Sequence, residues 1–146
     1  MNNPVPRAYQ GIFWATLCAS AIFSIWLADS GTEGFSIRLA WFMTPLLLIV
    51  LFALAERSSQ ALITGSLLGC FIFLCVFSWW ESAMPHAEGL VWVSYLMCFP
   101  GAFLGVTVAR VIEVVKGTAG HGSFVMGLGG AILGFALSVA ALVIAL

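Results

Sequence analysis

Five uncharged apolar cores follow one another along this chain, and that pattern constrains its fold more than any single residue does. They occupy about residues 11–28, 39–55, 61–80, 90–112 and 124–146, joined by short polar connections. A membrane-crossing helix needs roughly 17–25 apolar residues. At 1.5 Å per residue, a run of about eighteen spans about 27 Å, enough for the hydrocarbon layer. Composition closes off the alternative. A water-soluble domain carries about 25% charged residues, whereas here 8% of 146 residues are charged and 62% are hydrophobic. So few charges cannot cover a water-facing surface, and the bilayer must be the solvent.

The expected fold is therefore all-α, a polytopic membrane bundle of five transmembrane helices forming a single integral membrane domain over 1–146. The first run follows a short segment with one Arg and reads as an uncleaved signal anchor, because its cleavage signal is poor and four more runs follow. The second run is the shortest. It is rich in Leu and Phe, with Pro45 to kink it, and is expected at the periphery facing lipid.

Lys and Arg set the expected orientation. With the N-terminus inside, Arg7, Arg57, Arg110 and Lys116 fall on the cytoplasmic side and only Arg38 falls outside, with Asp29, Glu33, Glu81 and Glu88. The expectation is N-in and C-out, in a bacterial inner (plasma) membrane. A net charge of −1 provides no basic field, so no nucleic-acid partner is expected.

The stretch "SWWESAMPHAEG", Ser78 to Gly89, concentrates polar and aromatic groups. Trp79 and Trp80 end the third run where indole rings prefer to sit, at the lipid–water boundary. Glu81, His86 and Glu88 then fall in an outer loop turned by Pro85, with Trp92 and Tyr95 beginning the descent. A zinc site from these three is conceivable, but structural zinc favours more nitrogen or sulfur ligands, and no metal is expected. Cys70 and Cys75 lie five apart on one helix and point to different faces; no C-x-x-C is present, so the cysteines read as small hydrophobes. No cofactor and no catalytic residue are expected. Intramembrane ionisable groups mark proton relays and ion-coupled carriers, and the five cores hold none ahead of Arg110 at the inner end of the fourth. Glu113, between Arg110 and Lys116, reads as an i,i+3 partner on a solvated helix end. The following GTAGHGS segment lacks the lysine and preceding strand of a phosphate loop.

The cores do hold small residues four apart. Gly11, Ala15 and Ala19 line the first, beside Thr16, Ser20 and Ser24. Ala61, Gly65 and Gly69 line the third. Gly101, Gly105 and Ala109 line the fourth, below Pro100. Gly130, Gly134 and Ser138 line the fifth, where Gly127 and Gly129 add to the density. Residues i and i+4 share a helix face, so each row offers a groove for close backbone approach. This points to a non-catalytic membrane component that works by helix packing with a membrane-protein partner or with itself, of the accessory, assembly or immunity type. The competing expectation is a small transporter or channel for an uncharged or small solute. It would act as a parallel dimer, with a pathway near Thr44, Pro45, Ser94 and Pro100.

Overall fold

The computed structural model of the protein describes residues 7–29, 35–55, 58–83 and 90–145, and these are helical almost throughout. In chain order the helices are α1 (Arg7–Asp29), α2 (Phe35–Ala55), α3 (Gln60–Ser82), α4 (Leu90–Met97), α5 (Phe99–Lys116) and α6 (His121–Ala145). Five stretches are long and apolar enough to cross a membrane: Arg7–Ala28, Ser36–Ala55, Gln60–Ser82, Tyr95–Lys116 and His121–Ile144. The chain is a multi-pass, all-helical membrane bundle.

Contacts fix the directions. Tyr9 meets Phe124 and Phe23 meets Phe71, so α1, α3 and α6 run the same way. Phe42 meets Tyr95 and Phe52 meets Phe103, so α2 runs with α4 and α5. Ser59, before α3, bonds Glu113 near the end of α5. Arg7, Ser59 and Lys116 thus share one end of the bundle, the basic end. At the centre stands α3, packed on α1, α2, α5 and α6. Its first two turns, Ala61 to Leu67, are buried on every side.

The fourth crossing differs from the continuous run expected over 90–112. It breaks at Cys98, and Pro100 is the cause. Proline has no N–H to give and its ring crowds the preceding turn. The Cys98 N–H turns back to the Tyr95 carbonyl at 3.2 Å, a tighter turn than an α-helix makes. Pro45, by contrast, leaves α2 a single helix. That is tolerated in a membrane bundle, where neighbouring groups re-satisfy the freed carbonyl.

The second helix keeps the exposed face expected of it, with Leu47, Leu48, Leu51 and Leu54 on the outside. It also carries a stripe, Phe42, Pro45, Leu46, Ile49 and Ala53, buried against its neighbours. A smaller share of α6 than of α2 is buried, although α6 makes the closest backbone contacts. Bulky residues bury area through long side chains, whereas glycines bury a narrow strip at short range. Helix α1 is turned from its expected face. Gly11 and Ala15 are exposed and Ala19 is half-buried, while Thr16, Ser20 and Ser24 point inward. Hydroxyls are costlier to leave in lipid than methyl groups, so they claim the interior and Ile12, Trp14, Ile22 and Trp26 take the lipid face.

Candidate functional site: the α3–α5–α6 interface

Two interfaces meet on α6. On one flank, Gly65 and Gly69 of α3 face Phe124, Leu128 and Ala131, and Gly127 of α6 faces the Leu62 carbonyl. A Cβ added at Gly65 would stand 2.9 Å from the Leu128 nitrogen, and one at Gly69 would stand 2.8 Å from the Ala131 methyl carbon. On the other flank, Gly101 and Gly105 of α5 oppose Gly134, Ser138 and Gly130 in antiparallel register. A Cβ at Gly130 would lie 2.6 Å from the Gly105 carbonyl oxygen. Only glycine allows backbones so close, and carbonyl oxygens then rest against Cα–H groups of the neighbouring helix.

The predicted small-residue positions thus divide. Gly65, Gly69, Gly101, Gly105, Gly130, Gly134 and Ser138 lie within the chain's own helix contacts, and Gly127 joins them. Gly11 has nothing within 4 Å of an added Cβ, nor has Gly129. The four pathway candidates are spread over α2, α4 and α5. Thr44 and Pro100 are exposed, Pro45 is buried, and Ser94 belongs to α4 with its side chain outside the described set.

At the basic end the glycine contacts give way to a polar knot. Glu113 is only 4% exposed, which corrects the solvated position expected for it. The expected i,i+3 pair forms with Arg110, at 2.7 Å, while Lys116 stays exposed. The Ser59 hydroxyl donates to the other carboxylate oxygen and accepts from the Leu62 N–H, capping α3. Ser123, fully buried in the first turn of α6, lies beside the same carboxylate and donates its one hydroxyl proton to the Thr118 carbonyl at 3.1 Å. One carboxylate therefore meets the N-terminal ends of α3 and α6, where backbone N–H groups favour negative charge. The Glu113 carbonyl is used too, accepting from the N–H groups of Gly117 and Thr118. Gly117 and Gly120 adopt φ of 62° and 63°, the left-handed conformation that lets α5 stop and α6 start with four residues between them. Ser59 was missed, although a serine just ahead of an apolar helix is a capping signal that could have found it; nothing local could have shown that Glu113 lies beneath it.

Away from that end, aromatic rings pack beside the Gly101–Gly134 contact. Phe73 of α3 stacks on Phe135 of α6 with centroids 3.8 Å apart and planes 7° from parallel. Phe99 of α5 meets Phe135 edge-on at 5.0 Å, and Tyr95 of α4 meets Phe99 at 5.0 Å and Phe77 at 5.1 Å. With Phe42 of α2 against Tyr95, the hub draws on five helices. Cys70 and Cys98 are buried in the same core, Cys75 is half-buried, and all four cysteines are free. Among the described residues no three of His, Cys, Asp and Glu come together; His86 and Glu88, from the loop considered for zinc, lie outside that set.

Two apolar grooves flank α6. One, of about 420 Å³, lies between α3 and α6 and is lined by Ile72, Phe73, Val76, Ile132, Phe135 and Val139 among others. The other, of about 510 Å³, follows the α5–α6 seam, where Pro100, Gly101, Gly105, Gly130 and Gly134 are flanked by exposed Leu104, Leu133 and Leu137. What these grooves offer is shape and close access to backbone. Comparison of the chain with protein-family models, with curated proteins and with solved structures finds no match in any of the three.

Proposed function

We propose that this chain is a non-catalytic membrane component that works by packing its helices against a membrane-protein partner or a second copy, in a bacterial inner membrane with the basic end cytoplasmic. The observation that carries the reading is the α5–α6 seam. There the backbones of Gly101, Gly105, Gly130 and Gly134 approach the surface of a groove open to lipid, between exposed leucines. Association inside a bilayer draws on close packing, because lipid tails are as apolar as leucine. A seam with little side chain above it supplies that opportunity. Arg7 and Lys116 at one end, with Arg110 nearby, support the orientation.

The structure changes how this reading is tested. Most of the glycine rows are occupied within the chain, so replacing Gly105 or Gly134 would disturb the fold before any partner. Leu133 and Leu137 are the better probes. A photoreactive side chain at either, in native membranes, is expected to yield one stoichiometric protein adduct, while the same probe at Trp14 on α1 yields only lipid adducts. Lipid adducts at all three positions would count against the reading.

A transporter remains the second reading, and the break at Cys98 favours it. Discontinuous membrane helices often mark binding sites, since half-helix ends expose unpaired backbone groups. Reconstituted vesicles decide it: saturable flux of a small neutral solute, lost on Pro100→Leu but retained on Leu48→Ala, would replace the packing account with this one. Leu48 is exposed on α2, outside the candidate pathway, and serves as the control.

A further inference from the structure

We draw no further inference here: the strongest candidate, the apolar groove between α3 and α6 floored by Phe73 and Phe135, opens onto the lipid-facing surface, and nothing in the structure shows what covers it.

Discussion

The α3–α5–α6 trio and the α1–α2 pair are built from equally apolar helices, yet they are held by different means. In the trio, glycine brings backbone against backbone, and a buried carboxylate ties three helix ends together at the basic end. In the pair, burial falls to side chains: the Phe42, Leu46, Ile49 stripe of α2, with Phe42 against Tyr95 of α4, and the Thr16, Ser20, Ser24 row of α1. The lesson concerns tolerance. A side-chain interface can repack around a lost or added methylene, because rotamers move. A backbone interface cannot, since the intruding atom meets a carbonyl rather than the tip of a flexible chain. The trio should therefore be brittle and the pair forgiving.

The largest expected effect comes from forcing the trio apart. Gly105→Leu places a side chain where the Gly130 backbone stands, its Cβ 2.8 Å from the Gly130 carbonyl carbon. Overpacking of this kind costs on the order of 3 kcal/mol or more, and unfolding in lipid bicelles should show that loss or an absence of folded protein. A Gly105→Leu variant as stable as the parent would remove the distinction between the two regions.

Next is the knot. Glu113→Ala removes the carboxylate that accepts from Arg110 and Ser59. The expected loss is about 1–3 kcal/mol, reduced from a fully buried pair because Arg110 is partly exposed. A double-mutant cycle with Ser59→Ala should give a coupling of about 1 kcal/mol. Zero coupling would mean that the short contact does not hold α3 to α5.

The pair should yield less. Leu46→Ala, at a fully buried position of α2, keeps only the cavity part of the usual penalty, about 1–2 kcal/mol, because lipid solvates the leucine equally well in the separated state. A loss as large as that of Gly105→Leu would erase the ranking. Smallest is Ser20→Ala. The Ser20 hydroxyl donates to the Thr16 carbonyl of its own helix at 2.7 Å, so removing it should change stability by less than about 0.6 kcal/mol. A larger change would reveal a bond between helices.

Much of this architecture was legible from residues alone, for identifiable reasons. Crossing a bilayer demands long uncharged runs, so the five spans could be read directly. Glycine four apart has few other uses in a membrane helix, so the α3, α5 and α6 rows were found. What failed depended on rotation and on distant partners. Alanine tolerates lipid and protein alike, so Ala15 and Ala19 could not tell which way α1 turns; Thr16, Ser20 and Ser24 could have. Pro100 announced a break that the hydropathy of residues 90–112 concealed. The burial of Glu113 required Ser59, 54 positions away, and no local pattern encodes that meeting. Nor could a row of small residues say whether it serves a neighbour within the chain or a partner outside it.

Two adjacent glycines of α6 give the most direct test that backbone contact, rather than general hydrophobicity, holds the bundle. Gly130 faces α5, and Gly129, one position earlier, faces open space. Unfolding free energies in lipid bicelles for Gly130→Leu and Gly129→Leu compare equal changes in apolar content. We expect Gly130→Leu to lose on the order of 3 kcal/mol or fail to fold, and Gly129→Leu to match the parent or gain up to about 0.8 kcal/mol from better helix propensity. Equal losses in the two variants would contradict the account.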